Sequence, residues 1–331
     1  FTEFSEARTS QDTIVRDKKV KVQLVWTRED DLAREYYRHA SAQLLMWDRE
    51  RPEQILHQLC LSGSATHEDS NSASTRFDFL DWNVESTGKK LAGNFLPGIW
   101  RAVEHGYLSF AICSFVDELS YSYDADPMTF FSHHVKRLGL VERLKVSVNA
   151  GTRYQPQRLL NVIDTVKTAS NWEQGQLENR AMGFASYRCF GSYIALVVNV
   201  TIEDDVLAIS NVWAAVDCGV AVNPNGIRAQ IEGGIIYGLS ACLMSEIPFK
   251  QKGLALNFQH YRVARMKDAP KVEILIDQNQ WHPTGVGELG VVAIGPAIAN
   301  AVRKGVSHRF LRFPFLNTEG RLNLENAVEP V

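Results

Sequence analysis

A single glutamate near the C-terminus, Glu288, is the first residue of the chain that invites a chemical interpretation. It lies in the run Gly-Val-Gly-Glu-Leu-Gly at residues 285–290, just before a helix-like stretch. Glycines let the backbone approach a bulky group closely and adopt positive φ angles, so a carboxylate on such a loop suits a general base. An ordinary turn explains the same pattern, with the carboxylate capping the backbone or facing water. The spacing alone leaves both interpretations open.

The composition is typical of a globular protein and excludes several classes of function. The chain has 331 residues, of which 45% are hydrophobic and 22% charged, and its net charge is −3. Lysines and arginines are scattered among acidic residues, so we expect no nucleic-acid partner. The longest apolar runs fall short of the ~18 residues that a bilayer crossing needs, so we predict no membrane span.

The cysteines do not form a metal-binding pattern. There are five of them, far apart and without a CxxC pair: Cys60, Cys113, Cys189, Cys218 and Cys242. Iron–sulfur and structural zinc sites need clustered ligands, so we predict neither in this chain and no metal ligands among its residues. Three of the five lie in apolar surroundings and are predicted to be small buried residues, namely Cys113, Cys189 and Cys242.

The hydrophobic patterns predict an α+β fold, with mixed sheets and helices packed on them. The predicted strands are 20–26, 42–47, 192–202, 206–216, 254–258 and 271–277. The strands 192–202 and 206–216 are predicted to form a hairpin. A surface loop is predicted at 62–75. The predicted helices are 107–119, 126–137, 155–168 and 223–244, with a last helix opening at Gly295-Pro296. We expect two lobes, 1–170 and 171–331, the second carrying the Gly-Val-Gly-Glu loop.

Familiar enzyme motifs are missing from the sequence. The stretch closest to a serine-hydrolase elbow, at 238–242, lacks the closing glycine and falls inside a predicted helix. A dinucleotide-binding GxGxxG placed directly after a strand is absent, and so is a P-loop. The pair Gly233-Gly234 interrupts a helical pattern, which favours close helix packing or close backbone approach to a bound group.

Several separated motifs together resemble one family, the molybdenum-cofactor-binding large subunit of the xanthine dehydrogenase and aldehyde oxidase superfamily, and within it the branch of the isoquinoline 1-oxidoreductase beta subunit. They occur in the order of that branch and span nearly the whole chain. They are Val-Trp-Thr-Arg-Glu-Asp-Asp at 25–31, Gly-Ile-Trp-Arg at 98–101, Ser-Phe-Val-Asp-Glu-Leu at 114–119 with Asp-Pro at 126–127, Phe-Gly-Ser-Tyr at 190–193, Ala-Val-Asp-Cys-Gly at 215–219 with Val-Asn-Pro at 222–224, Arg-Ala-Gln-Ile-Glu-Gly-Gly at 228–234 and Gly-Val-Gly-Glu at 285–288.

The resemblance implies a fold of the molybdenum-hydroxylase large-subunit type and assigns roles to individual residues. Glu288 matches the family's active-site base, and Gly287 belongs to the same cofactor-side loop. Gln230 matches a glutamine that hydrogen-bonds the cofactor. Arg101 matches a loop arginine beside the metal, with Trp100 as a pocket wall. The residues themselves also allow blander roles, a surface-facing helix position for Gln230 and a salt-bridged loop position for Arg101.

The reaction implied by the resemblance is hydroxylation of an electron-poor carbon of an N-heterocycle or aldehyde, with oxygen drawn from water. The implied cofactor is molybdopterin with molybdenum, in its cytosine dinucleotide form, and Glu288 would serve as the base. Because this chain has no cysteine cluster, iron–sulfur clusters are expected on a small [2Fe-2S] partner subunit. A bacterial cytoplasmic or periplasmic location fits equally well.

The chain also departs from the family pattern. Leu289 follows Glu288 where the family usually has proline. The family's large subunit is about twice as long, and its first half carries glycine-rich loops that hold the pterin. We therefore expect a C-terminal half whose partner is the N-terminal half of the large subunit, and poor cofactor binding and no activity for the isolated chain. The alternative is a non-catalytic fragment or degenerate paralogue that keeps the fold as an assembly module.

Overall fold

A computed structural model describes residues 41–48, 51–62, 80, 83–91, 100–140, 154–178, 180–246, 249–250, 253–254 and 261–328. The predicted strand at 20–26 and nearly all of the predicted loop at 62–75 lie outside these residues. The first sheet consists of β1 (Ser41–Asp48), β2 (Arg51–Ser62) and β3 (Asn83–Leu91). Strand β1 pairs antiparallel with β2, and β2 pairs parallel with β3. The prediction at 42–47 is confirmed, whereas β2 and β3 were not predicted.

Four helices follow the first sheet along the chain. They are α1 (His105–Ser122), α2 (Pro127–Leu140), α3 (Pro156–Ala169) and the short α4 (Trp172–Leu177). The first three confirm the predicted helices, and α1 packs against α2 as the shared apolar spacing requires. At the start of α2, the Asp126 carboxylate accepts a hydrogen bond from the Thr129 backbone N–H, 2.8 Å away.

The central sheet has the strand order β4-β5-β6-β9. Its strands are β4 (Ala181–Cys189), β5 (Ser192–Glu203), β6 (Val206–Asp217) and β9 (Lys271–Ile276). The predicted hairpin is confirmed, since β5 and β6 pair antiparallel through a turn in which Asp204 and Asp205 have φ angles of 49° and 62°. Aspartate tolerates this left-handed conformation better than most residues. Strand β4 was not predicted, while β9 confirms the strand expected at 271–277.

Within the described residues, the remaining elements are two long helices, four short strands and two short 3-10 helices, Met266–Asp268 and Leu324–Asn326. The helices are α5 (Pro224–Leu243) and α6 (Leu289–Val306); the short strands are β7 (Phe249–Lys250), β8 (Gly253–Leu254), β10 (Arg309–Phe310) and β11 (Ala327–Val328). Helix α5 begins as predicted, with the Asn223 side chain accepting a hydrogen bond from the Gly226 N–H. Most of the strand predicted at 254–258 falls outside the described residues.

The predicted start of the last helix, at Gly295-Pro296, is wrong. Helix α6 begins at Leu289 and carries Pro296 in its interior. Proline has no backbone N–H to donate, so the interior of a helix is an unfavourable position for it. The stretch from Leu289 to Val302 is nevertheless buried along its whole length, between β4, β5, α1 and α5. Burial of this much apolar surface outweighs the local preference of proline to open a helix.

By length and composition, α6 would also suffice to cross a bilayer, and it is the one helix within the described residues for which this holds. Of its apolar window, 78% is buried inside the protein. A core helix gives the same pattern, so this is weak evidence for a membrane span.

The hydrophobic core extends across residue 170, where we predicted a lobe boundary. Helix α3 packs on β5 and β6, and α1 packs on α6. Buried residues from both sides, such as Ile163 and Val197, belong to one continuous cluster. The division into two lobes stays a prediction.

Helices α5 and α6 touch backbone to backbone at two glycines. A Cβ atom added to Gly290 would lie 2.5 Å from the Ile231 carbonyl oxygen and 2.6 Å from the Ile235 nitrogen. A Cβ atom on Gly234 would lie 3.2 Å from the Gly290 Cα. The close helix packing expected from Gly233-Gly234 therefore occurs at Gly234. Since Glu288 immediately precedes α6, this contact fixes its distance from α5.

We predict that Gly290→Ala forces the two helices apart and lowers the free energy of unfolding by about 3 kcal/mol, at the upper end of overpacking effects. Gly106→Ala is the matched control, because a Cβ there meets the Trp100 ring at an ordinary 3.6 Å. Urea unfolding of both variants measures the difference. Equal stabilities for the two variants would contradict the contact.

Candidate active site

Arg101 joins three segments that are far apart in the sequence. Its Nε donates a hydrogen bond to the Gly287 carbonyl oxygen at 2.5 Å. One terminal nitrogen donates to the Gln230 backbone oxygen at 3.1 Å and to the Gln230 side-chain oxygen at 3.0 Å. The guanidinium thus links the loop before α1, the first turns of α5 and the Gly-Val-Gly-Glu loop. All three acceptors are uncharged oxygens, so these contacts differ from the salt bridge considered for Arg101.

Glu288 is the residue that leads into α6, and its side chain does not cap the helix. Its backbone oxygen accepts hydrogen bonds from the Val291 and Val292 N–H groups, at 3.0 and 3.3 Å. The residue is half-buried, and within the described residues its carboxylate takes part in no hydrogen bond or ion pair. The side chain therefore does not cap the backbone, while a carboxylate that faces water and one that acts as a base both fit this arrangement.

The Glu288 carboxylate lies within electrostatic reach of the turn between β4 and β5. Burial, with the negative charge of Glu288 as a second cause, raises the pKa of the Cys189 thiol. The next residue, Phe190, is exposed and has a φ of 50°. The Phe190 Cβ is 3.9 Å from the place where a Cβ on Gly285 would stand. This turn therefore borders the glycine loop, although it is distant from that loop in the sequence.

The segment before the glycine loop is tied to the ends of β5 and β6. The Thr284 N–H donates to the Cys218 oxygen at 2.8 Å, and the Thr284 hydroxyl lies 2.6 Å from that of Ser192. The Val220 N–H donates to the Trp281 oxygen at 2.8 Å. These bonds fix the approach of the chain to Gly285, so the loop is anchored at both ends.

A buried ion pair holds the end of β6 in place. Asp217 is inaccessible to solvent, and both its carboxylate oxygens accept hydrogen bonds from Arg158 of α3, at 2.8 and 2.5 Å. The Gly219 N–H donates to the same carboxylate at 2.9 Å. Burial raises the pKa of Asp217, but the hydrogen bonds from Arg158 and Gly219 outweigh it and leave the pKa below its ordinary value.

Gly219 is a position that only glycine fits. Its φ is 77°, and a Cβ there would stand 2.2 Å from the His282 carbonyl oxygen. The strand end of β6 and the segment before the glycine loop therefore approach each other more closely than any side chain allows.

Trp100 lies beside Arg101 but faces a different space from Glu288. Its ring contacts the Tyr237 ring, with centroids 4.9 Å apart. Both rings line a cavity of about 580 Å³ on the outer face of α5, whereas Glu288 is not among its lining residues. Arg101, Gln230 and Gly287 thus form one hydrogen-bonded cluster next to Glu288, while Trp100 lines the cavity.

Sequence reasoning missed the residues that support this cluster. Asp217 stands in a motif that carried the family resemblance, but nothing in the spacing gave it a partner. Arg158 lies on an amphipathic helix whose pattern marks no charged residue as buried. Thr284 directly precedes the glycine loop, and a hydroxyl at that position was the one local signal available. The burial predicted for Cys113, Cys189 and Cys242 is confirmed, and Cys218 is buried as well.

Comparisons with known proteins confirm the family resemblance. A molybdopterin cofactor-binding domain family matches residues 137–270. The beta subunit of isoquinoline 1-oxidoreductase from Brevundimonas diminuta is 28% identical over 87% of this chain and 37% of its own length. A nicotinate dehydrogenase subunit from Pseudomonas putida is 26% identical over 62% of this chain and 18% of its own. The chain thus spans well under half the length of these relatives.

Solved structures show the same fold. The aldehyde oxidoreductase from Desulfovibrio desulfuricans superposes with a TM-score of 0.69 and 12% sequence identity, covering 87% of this chain and 49% of that one. The Cu,Mo-CO dehydrogenase gives a TM-score of 0.68 at 10% identity, covering 85% and 61%. The predicted α+β fold of the molybdenum-hydroxylase large-subunit type is confirmed.

We predict that Asp217→Asn lowers the free energy of unfolding at pH 7 by about 3 kcal/mol, because Arg158 is left buried without its counter-charge. The native carboxylate has a depressed pKa, so its stabilisation is present above the ordinary pKa of 3.8 and is lost as the pH falls through the lower native value. The gap between wild type and variant should therefore narrow in acid.

Urea unfolding at neutral and acidic pH measures this gap. Asp164→Asn, at an exposed position in the same helix as Arg158, is the matched control and should leave stability unchanged at both pH values. A gap that stays constant or widens in acid would contradict the assignment.

Proposed function

We propose that this chain carries the catalytic glutamate of a molybdenum hydroxylase, because it is similar to the beta subunit of isoquinoline 1-oxidoreductase and matches a molybdopterin cofactor-binding domain family. The reaction is hydroxylation of an electron-poor carbon with oxygen from water. The observation that supports it best is the contact of Arg101 with both Gln230 and Gly287. Three residues given roles by the resemblance, from three distant segments, meet next to Glu288.

The cluster suits a pterin that carries molybdenum. Arg101 occupies the side-chain oxygen of Gln230, and within the described residues the amide NH₂ of Gln230 donates to no protein group. It is therefore free to donate to an oxygen of the cofactor. A Cβ atom on Gly287 would lie 3.9 Å from the Gln230 side-chain oxygen. Because Gly287 has no side chain, the space beside Gln230 stays open. We propose molybdopterin in its cytosine dinucleotide form as the group held there.

The bound cofactor supplies the two-electron oxidation of the substrate carbon. Within this chain, Glu288 acts as the general base and holds a proton on its carboxylate. Arg101 fixes the carbonyl of the residue before Glu288, so the carboxylate starts from a defined backbone position. Gln230 is aligned by the same guanidinium, which makes Arg101 the residue that sets the distance between base and cofactor.

The substrate class follows from the relatives. Their names specify isoquinoline, nicotinate and aldehyde as the compounds on which they act. We propose an N-heterocycle or an aldehyde as the substrate here. Each offers a carbon that is depleted of electrons by a neighbouring nitrogen or oxygen, which is what attack by a water-derived nucleophile needs.

Electrons must leave the site after each turnover, and we propose a small [2Fe-2S] subunit as the acceptor. The four cysteines whose side chains are described are free, buried and dispersed, which is unsuited to holding a cluster. The matched relatives are themselves named as subunits. A further polypeptide region equivalent to the rest of the relatives' large subunit completes the proposed assembly.

We expect Glu288→Gln, made in the native complex, to lower turnover by about 10²–10⁴-fold, because an amide cannot accept the proton. Molybdenum per large subunit should stay at the wild-type level, as measured by plasma mass spectrometry. Glu319→Gln, in an exposed loop, is the matched control and should keep full activity.

Unchanged turnover in a molybdenum-loaded Glu288→Gln complex would exclude the glutamate as the base. A native complex without molybdenum would instead favour the non-catalytic alternative, in which the fold serves assembly.

We further expect Arg101→Lys to lower kcat/KM about tenfold, because an ammonium cannot span Gly287 and Gln230 as the planar fork does. Steady-state kinetics of the complex measure the effect, with Arg228→Lys on the exposed side of α5 as the control. Wild-type kinetics for Arg101→Lys would show that the fork is dispensable.

A further inference from the structure

The cavity on the outer face of α5 has a lining suited to a flat ring. Its volume is about 580 Å³, within the range of small-molecule sites. Trp100, Tyr237 and Tyr261 provide aromatic walls, and Ile236 and Val263 add aliphatic surface. A glycine in α5 leaves one wall without a side chain. Such walls favour planar apolar groups, which bury both faces on entry.

The two serine hydroxyls that line the cavity are already paired, whereas the carboxylate of Glu232 is not. The Ser240 hydroxyl donates to the Ile236 oxygen and accepts from the Ala264 N–H, each at 3.0 Å. The Ser245 hydroxyl donates to the Arg262 oxygen at 2.7 Å. Glu232, by contrast, is exposed and makes no hydrogen bond or ion pair within the described residues. Its carboxylate is therefore an acceptor that a ligand can use.

The neighbouring charge decides which ligand fits. The Arg101 guanidinium does not line the cavity but lies 5.9 Å from the centre of the Tyr237 ring, which does. Its positive charge opposes a cationic ligand between the aromatic walls, while the negative charge of Glu232 opposes an anionic one. A neutral ring with a hydrogen-bond donor satisfies both constraints, because the donor meets the carboxylate and the ring adds no net charge.

We propose that this cavity binds a neutral, planar aromatic heterocycle whose N–H donates a hydrogen bond to Glu232. The site goes beyond the function proposed above, since Glu288 does not line it and no chemical step takes place in it. It adjoins the Arg101 cluster through Trp100 and Gly233, so its occupant lies next to the residue that holds the glycine loop.

The test compares two ring systems of nearly equal shape on the full chain. Benzimidazole carries an N–H where benzoxazole has an oxygen, and at pH 8 both are neutral. Ligand-observed NMR titration gives their dissociation constants. We expect benzimidazole to bind about tenfold more tightly, the effect of one hydrogen bond to a charged acceptor.

Three variants locate the binding site. Glu232→Ala should abolish the preference for benzimidazole, whereas Glu319→Ala should retain it. Ala229→Phe, at an exposed lining position, should narrow the cavity and weaken binding of both compounds. Thermal unfolding checks that each variant is folded.

The proposal fails if neither ring binds, if both bind equally, if Glu232→Ala keeps the preference or if Ala229→Phe leaves binding unchanged. None of these measurements needs the molybdenum cofactor or turnover, so they test the cavity independently of the proposed hydroxylase.

Discussion

The close contact of α5 and α6 at Gly234 and Gly290 is the constraint on which the candidate site depends. Gln230 lies one helical turn before the first glycine, and Glu288 lies two residues before the second. Any side chain at Gly290 would collide with the backbone of α5. The absence of side chains between the two helices therefore brings these segments together, and Arg101 donates hydrogen bonds to Gln230 and to Gly287, the residue before Glu288.

Buried charges hold the surrounding elements in register. The ion pair of Arg158 and Asp217 connects α3 to the end of β6. The segment before the glycine loop is hydrogen-bonded to the residues that follow this strand. On the other side of the core, Arg309 donates to the Asp117 carboxylate at 2.6 Å and so ties the chain after α6 to α1. Both pairs are nearly inaccessible to water. Breaking either pair would leave a charge unpaired in a medium of low polarity.

The sequence predicted those elements whose pattern is local. Helices with an apolar stripe and a proline start, such as α2 and α3, and the hairpin of β5 and β6 with its acidic turn, were found from periodicity and turn chemistry. Strand β4 was missed because its residues are buried on both faces and lack the alternation of a half-exposed strand. The start of α6 was misplaced because the burial of Leu289 depends on neighbours that no local pattern reveals.

The candidate site was predictable in its members but not in its geometry. Glu288, Gln230 and Arg101 were selected by motifs, whereas the bonds that unite the site span 129 and 186 positions of the chain. The supporting residues Arg158 and Asp217 were invisible for the same reason, since a buried ion pair has no spacing in the sequence. Trp100 was expected as a pocket wall, and it lines the cavity together with Tyr237; its place in the cofactor pocket stays a prediction.

In the proposed enzyme, the Glu288 carboxylate and the Gln230 amide face one common cofactor. Anomalous X-ray scattering at the molybdenum edge, from crystals of the native complex, locates the metal directly. We expect a molybdenum atom beside the Glu288 carboxylate, with the Gln230 side chain in contact with its pterin. Molybdenum located away from both residues, or a Glu288 side chain turned to bulk water in the loaded complex, would contradict it.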